Sequence, residues 1–232
     1  MTKPCYFQGC QERGRTKEHI PPRAFFPPHR RNQLLTVPSC KAHNGDKSGD
    51  DQYALAHICI NASPANESRD IFMSRIAPQL GFNREALRAT LRKDAIDLEN
   101  GAVAYAVDQA RLDRFFTALS CGIVYNACAK QLPSNYGVGH VYHNLHTEGL
   151  STEEAMLHAE LLDFYRDDRE EDLLGVLNFG QAETLNETVY SARIFGLPDF
   201  RSSITVVHRF FGTFRVTSML TNRMAIPSNA QD

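Results

Sequence analysis

The sequence has no long apolar run, no secretory signal and almost no net charge, and these absences exclude several classes of protein. Its 232 residues carry a formal net charge of −2, and 42% of them are hydrophobic. A transmembrane helix needs roughly 18–20 consecutive apolar residues, which no segment provides. The N-terminal residues lack the apolar core of a secretory signal. A composition close to the globular average argues against a disordered or fibrous chain, and the length predicts one or two folded domains. Without a membrane span or a secretory signal, we expect a cytoplasmic protein.

Two familiar catalytic signatures are also missing. The sequence has no glycine-rich loop of the kind that binds nucleotide phosphates, and no arrangement of serine, histidine and aspartate typical of hydrolases. Cysteine is scarce, with six residues, and disulfides are not expected without a secretory context. Cys59, Cys121 and Cys128 lie among apolar neighbours and are interpreted as buried thiols. The other three cysteines are close to the N terminus.

These three cysteines form, together with one histidine, two pairs of potential metal ligands. Cys5 and Cys10 are separated by four residues, and Cys40 and His43 by two. Two such pairs provide the four ligands of a structural zinc site. The segment between the pairs is rich in proline and too short to bury much apolar surface, so a metal would supply the missing folding free energy. The alternative is that Cys5 and Cys10 are free thiols and that His43 is a surface residue.

Positive charge is concentrated in the same segment. Residues 1–50 contain nine lysines and arginines against four acidic residues, a net charge of +5, whereas the other 182 residues have a net charge of −7. A basic segment on an acidic body predicts contact with a polyanion. The candidate phosphate-contacting residues are Arg13, Arg15, Arg23, Arg30, Arg31 and Lys47. Lys47 could instead cap the helix that follows it.

Between and after the two ligand pairs, further polar residues complete a recognisable pattern. Glu18-His19-Ile20-Pro21 lies between the pairs, Asn32 precedes the apolar stretch 33–37, and Asn44 directly follows the last ligand. This order resembles the HNH, or ββα-metal, nuclease family, and within it the zinc-bearing phage endonuclease VII branch. The resemblance covers about a fifth of the chain. In that family an aspartate is commoner in the position of Glu18, and a cysteine in the position of the histidine ligand.

The resemblance implies separate roles for two metals. Zinc would stabilise the scaffold, while Mg²⁺ or Mn²⁺ would be held by Glu18 and Asn44, whose oxygen atoms suit hard divalent ions. His19 would be the general base, because a neutral imidazole accepts a proton from water near pH 7. Asn32 would brace the loop that orients His19. The implied zinc ligands are Cys5, Cys10, Cys40 and His43.

The hydrophobic pattern predicts an α+β protein of two parts. In the first part, strands over residues 15–20 and 33–37 and a helix over 50–60 would form a ββα unit. We therefore predict a zinc-stabilised ββα-metal (HNH) module over residues 1–62, called the head below.

Residues 63–232, called the body below, contain a predicted long helix and several strands. This mixture indicates an accessory domain of mixed helices and antiparallel sheet, suited to partner docking, dimerisation or substrate orientation. The last predicted strand is bent or broken near Gly212. The predicted elements are a helix over 108–130 and strands over 138–145, 174–179, 188–195 and 203–220.

These features favour a metal-dependent endonuclease that hydrolyses phosphodiester bonds in DNA, with RNA as an open alternative. Its context would be phage defence or a mobile element, by analogy with small proteins of similar organisation. The acidic body favours a protein partner or a homodimer over a second DNA surface. The alternatives are a zinc-knuckle module that binds nucleic acid without cutting it, and a nuclease subunit that needs an activator.

Overall fold

The computed structural model describes most of the chain and confirms the α+β class, with helices and antiparallel sheets in both parts. None of the helices in the described part is both long and apolar enough to cross a membrane. The described residues are 3–32, 34–62, 66–83, 85–99, 103–145, 151–153, 155–156, 159–160, 177–179, 186–196 and 199–223.

The head contains two short antiparallel strands followed by a helix. Strand β1 (Thr16–His19) pairs with β2 (Thr36–Ser39), with Glu18 opposite Val37, and α1 (Ser48–Asn61) follows. Two aspartates in the first turn of α1 complement the positive end of the helix dipole. The expected order of two strands and a helix is therefore present.

The second strand of the head lies further along the chain than the predicted range 33–37. Strand β2 contains Pro38, whose carbonyl oxygen accepts a hydrogen bond from the backbone N–H of Tyr6 at 2.8 Å. In an antiparallel pair, the N–H and C=O groups of one residue point to the same side. The nitrogen of Pro38, which has no hydrogen to donate, therefore faces away from β1, and proline is tolerated within the strand.

The body begins with a helical segment and a small hairpin. Helix α2 (Asn66–Ile71) continues through a π-helical turn (Phe72–Ile76) into α3 (Ala77–Leu80). Helix α4 (Ala86–Leu91) follows. The hairpin strands are β3 (Ile96–Asp97) and β4 (Val103–Ala104).

A long helix and a five-stranded antiparallel sheet make up the rest of the described body. Helix α5 (Gln109–Cys128) begins at Asp108, whose carboxylate accepts from the backbone N–H of Arg111, as an N-cap residue does. The strands lie in the order β5-β9-β8-β7-β6. They are β5 (Tyr136–Tyr142), β6 (Leu177–Phe179), β7 (Tyr190–Phe195), β8 (Ile204–Phe210) and β9 (Phe214–Asn222).

The predicted break near Gly212 is confirmed. Residues 203–220 form the hairpin of β8 and β9, and Gly212 lies in its turn with φ of +72°, a conformation that glycine adopts without steric cost. Of the predicted strand 174–179, residues 174–176 lie outside the described part.

Helix α5 packs against the head as well as the sheet. Gly122 allows a close approach, because a Cβ atom there would lie 2.5 Å from Cδ1 of Ile20. The loop after β1 inserts Phe25, whose ring lies 5.4 Å from Phe115 of α5 and 5.3 Å from Phe210 of β8. One buried hydrophobic cluster includes residues of the head and the body. The division at residue 62 stays a prediction, since residues 63–65 are outside the described part.

Buried histidines connect α5 to the sheet through hydrogen bonds. His208 of β8 is fully buried, with Nε2 2.9 Å from the Ser120 hydroxyl and Nδ1 2.9 Å from the Tyr190 hydroxyl. Burial, and then the nearby His140, holds the pKa of His208 well below its usual range. Burial, with a smaller contribution from Arg111, also lowers the pKa of His57 in α1 to about 4. Both side chains are therefore neutral in the folded protein.

We expect acid to destabilise the fold through these two histidines. An unfolded histidine has a pKa of about 6.5, so below that pH the unfolded chain binds more protons than the native one. The free energy of unfolding should therefore fall as the pH falls, by up to about 1.4 kcal/mol per pH unit for each histidine. Urea unfolding between about pH 7.5 and pH 5.5 measures this dependence.

The variant His208→Gln should show a shallower pH dependence, and His29→Gln, at an exposed position, should leave the dependence unchanged. An unaltered slope in the His208 variant would contradict the interpretation.

Candidate metal centre

Four ligand atoms from two separate segments converge in the head. The Nδ1 atom of His43 lies 3.5 Å from Sγ of Cys5 and 3.2 Å from Sγ of Cys40, and the Sγ atoms of Cys10 and Cys40 are 3.9 Å apart. All four ligand atoms lie within 4.8 Å of one another. Tetrahedral zinc, with Zn–S bonds of about 2.3 Å, places its sulfur ligands about 3.8 Å apart. The cluster can therefore hold a metal such as zinc, as the spacing predicted.

Local backbone structure brings the two pairs together. The first pair flanks a tight turn in which Gly9 has φ of +69° and the N–H of Cys10 donates to the carbonyl of Phe7. The second pair follows β2, and the backbone N–H of Cys40 donates to Sγ of Cys5 at 3.4 Å. The ring of Phe7 stacks on His43, with centroids 4.1 Å apart. This stacking fixes the orientation of the imidazole ligand.

The protonation equilibria of the cluster suit a cation. Burial raises the pKa of the Cys5 thiol to about 11, so a thiolate there needs a cation to stabilise it. Burial would also raise the pKa of Cys40, but hydrogen bonds from the backbone of His43 and from neighbouring thiols lower it overall. Burial and the charge of Lys47 lower the pKa of His43. The imidazole is therefore neutral and available as a ligand.

Residues of the body support the first ligand pair. Nε2 of Gln131, just beyond α5, donates to the carbonyls of Phe7 at 3.1 Å and Cys10 at 2.8 Å. In return, Nε2 of Gln8 in the head donates to two carbonyls of the body, those of Pro133 and Tyr136. Sequence reasoning missed Gln131, because no local pattern links it to a turn more than 120 residues earlier.

Glu18 lies inside the head and forms an ion pair with Lys47. Its side chain is 5% exposed, and Oε1 is 2.9 Å from Nζ of Lys47. The same Nζ atom is 2.8 Å from both carboxylate oxygens of Asp51. Burial raises the pKa of Glu18 despite the lowering effect of Lys47. Lys47 occupies the N-cap position of α1, where its backbone carbonyl accepts from the N–H groups of Asp50 and Asp51, while its side chain joins β1 to the first turn of the helix. Its role as a phosphate contact stays a prediction.

This arrangement does not fit Glu18 as a ligand of Mg²⁺ or Mn²⁺. Its carboxylate shares the ammonium group of Lys47 with Asp51 and is almost inaccessible to a hydrated ion. Asn44, the second expected ligand, directs its Nδ2 atom to the hydroxyl of Thr16 at 2.9 Å and to the carbonyl of Lys17 at 3.3 Å. The amide therefore fastens the loop after β2 to β1.

His19 is half-buried at the end of β1. Burial, and then the positive charge of Arg23, lowers its pKa, so the imidazole is neutral near pH 7 and can accept a proton. Asn32 is exposed in the loop between the strands. No hydrogen bond between described residues joins His19 to Asn32 or Asn44. The bracing role of Asn32 stays a prediction.

The six candidate phosphate contacts fall into two groups. Arg13, Arg15 and Arg23 are exposed. Arg30 is engaged elsewhere, with Nη1 2.6 Å from the Thr188 hydroxyl and 3.7 Å from Glu67. Lys47 is held by its two carboxylates. Arg31 is also engaged, since its Nε atom donates to the carbonyl of Phe26 at 2.9 Å.

Neither a protein-family model, nor a curated protein, nor a solved structure matches this chain. The assignment of the site therefore depends on its geometry and chemistry.

We expect the purified protein to contain about one zinc ion per chain. Cys40→Ser should lose the metal and unfold at a lower urea concentration, because the remaining ligands no longer complete the site. Cys128→Ser is the matched control, since Cys128 is outside the cluster and its Sγ bonds the carbonyl of Val124. Elemental analysis after dialysis measures the zinc content. Equal zinc in both variants would refute the assignment.

Removal of the Lys47 charge should lower the free energy of unfolding. Lys47→Met leaves the carboxylates of Glu18 and Asp51 buried without a counter-charge, which typically costs about 3–5 kcal/mol. Lys17→Met, at an exposed position in β1, should change the free energy of unfolding little. Adding Glu18→Gln to the Lys47 variant should restore part of the loss. If Lys47→Met were as stable as Lys17→Met, the buried ion pair would have no structural role.

Proposed function

We propose that this protein is an HNH-type endonuclease that hydrolyses phosphodiester bonds in DNA. The observation that supports this best is a neutral, half-buried His19 at the end of β1, with the cationic Arg23 close enough to lower its pKa. The strand that carries His19 belongs to a ββα unit that a four-ligand metal cluster can stabilise.

His19 acts as the general base in this proposal. A neutral imidazole takes a proton from the attacking water, and a group with a pKa near or below the working pH remains ready to do so. Arg23 supplies positive charge where negative charge develops on the phosphate in the transition state. Burial, and then the charge of Arg23, lowers the pKa of His19, so the base stays neutral between turnovers.

Zinc, when bound to Cys5, Cys10, Cys40 and His43, supplies structural stabilisation only, because four protein ligands close its coordination shell. The proposed requirement for Mg²⁺ or Mn²⁺ is separate. Since Glu18 is paired with Lys47 in the described arrangement, we assign no step to such an ion. The cleavage assay below tests the requirement directly.

A binding module that does not cut nucleic acid is the second candidate. The buried pair between Glu18 and Lys47 favours it, because a carboxylate expected to face the reaction centre is used for structure instead. The basic surface of the head would then bind phosphates through charge without hydrolysing them. The acidic body is the proposed surface for a protein partner or a second copy of the chain.

Cleavage of supercoiled plasmid distinguishes the two candidates. The wild-type protein should nick or linearise the plasmid, and His19→Ala should reduce the rate by about 100-fold or more, the usual contribution of a general base. His29→Ala is the matched control, since His29 is an exposed histidine in the loop between β1 and β2 and should retain the activity.

The divalent-ion requirement is tested by adding Mg²⁺ or Mn²⁺ to metal-depleted buffer, because a chelator would also extract zinc. Cleavage that persists in His19→Ala would remove His19 as the base. If the protein binds the plasmid but cleaves it under none of these conditions, the second candidate is established.

A further inference from the structure

One stretch of the body exposes several large hydrophobic side chains. Seven such side chains are exposed in the described part of the chain, and four of them are Phe82, Ile96, Leu98 and Val103. Phe82 is 73% exposed and Ile96 is 65% exposed. Among the described residues from 81 to 99, Leu91 alone is buried. Single exposed apolar residues are common in folded proteins, but apolar residues gathered in one place mark an interaction surface.

The hairpin of β3 and β4 lies in this stretch and is joined to no other strand in the described part of the chain. Its strands share two residue pairs, Ile96 with Ala104 and Asp97 with Val103. A two-stranded hairpin is marginally stable by itself, and its outer edges present N–H and C=O groups that no strand pairs. The hairpin therefore depends on what its two faces contact.

One face of the hairpin is directed toward the helix of the head. Tyr105 directly follows β4, and its ring centroid lies 5.5 Å from that of His57. Its hydroxyl accepts a hydrogen bond from Nδ2 of Asn61 at 3.0 Å. His57 and Asn61 both belong to α1. Since successive side chains of an extended chain point to opposite faces, Ala104 points away from α1.

The face that points away from α1 carries exposed apolar residues. Ile96 pairs with Ala104, and Leu98 is two residues further along the chain, so the three share this face. Ala104 is exposed, and Leu98 is 46% exposed. Ile96, Leu98 and Ala104 are called the outer face below.

The charges along this stretch make it complementary to itself. Residues 84–95 contain four basic and two acidic residues, a net charge of +2, whereas residues 97–99 have a net charge of −2. A twofold axis at Ile96 sets two copies of the strand antiparallel, so the basic end of one copy lies over the acidic end of the other. The stretch as a whole is neutral, and a basic or an acidic partner would meet like charge at one end of it.

The ion pairs of this stretch do not prevent such an exchange of partners. Arg88 is 3.2 Å from Glu85, and Arg92 is 3.6 Å from Asp97. All four side chains are more than half exposed, and exposed pairs contribute little to stability. They can therefore form again between two copies.

We propose that the outer face of the hairpin is the surface through which two copies of this chain form a twofold-symmetric dimer. Ile96 and Leu98 of each copy cover those of the other, and the charges at the two ends of the stretch set the antiparallel orientation. The proposal gives a location to the second copy considered under the proposed function, and it does not depend on cleavage of nucleic acid.

Sedimentation velocity of the full-length, zinc-containing protein without nucleic acid tests the dimer. The wild type should associate with a Kd on the order of 10 μM, as expected for a small interface. Ile96→Glu should raise this Kd by at least about tenfold, because symmetry places the substitution twice in the interface. Its far-ultraviolet circular dichroism should match the wild type, since Ile96 is exposed and outside the core.

Met156→Glu is the matched control. Met156 is exposed to a similar extent, at 59%, and lies outside this stretch, so the variant adds the same charge and should dimerise as the wild type does. Leu98→Glu provides a second test that does not depend on the folding of the Ile96 variant. A wild type that stays monomeric at about 100 μM, ten times the expected Kd, would overturn the proposal. So would equal dimerisation of the two hairpin variants and the control.

Salt separates this dimer from an association driven by net charge. Apolar burial is not screened, so the dimer should persist in about 0.5 M salt. Contact between the basic head of one copy and the acidic body of another would instead be lost there, and a dimer that behaves in this way would overturn the proposal. A dimer that Ile96→Glu dissociates, in a protein that cuts no plasmid, supports this interface while the endonuclease proposal fails. A monomeric protein that cuts plasmid gives the reverse result.

Discussion

The burial of helix α5 between the head and the five-stranded sheet is the interaction on which the described structure depends. Eleven residues of the helix are buried, and the close approach at Gly122 lets Ile20 of the head pack against its backbone. Phe25 extends from the head to both α5 and the sheet. The head therefore gains apolar burial that its own short strands cannot supply. The turns of the candidate metal cluster are part of the same packing, since Cys5 and Cys40 belong to the buried core.

Ion pairs connect separate elements of the fold. Buried and half-buried charges are paired where they join elements, as Lys47 joins β1 to α1 and Asp50 joins α1 to α5.

The sequence was most informative where the determining contacts are local. The four members of the candidate metal cluster follow from two short spacings, and the hairpin break at Gly212 follows from a glycine in a run of strand residues. The predicted position of β2 was wrong, because the strand includes a proline. Pro38 fits there because its carbonyl accepts a hydrogen bond from Tyr6, which lies more than 30 residues earlier. The partner of Lys47 within its helix, Asp51, could have been found from the i, i+4 spacing. Its second partner, Glu18, is set by tertiary packing, which no local pattern encodes.

The continuity of the core has a practical consequence for protein engineering. A head excised from this chain and fused to another protein would expose the ring of Phe25 and the side chain of Ile20, which α5 covers in the native chain. The turn of the first ligand pair would also lose the hydrogen bonds of Gln131. Transplantation therefore needs α5 and the residues just after it to accompany the head, or a redesigned helix in their place.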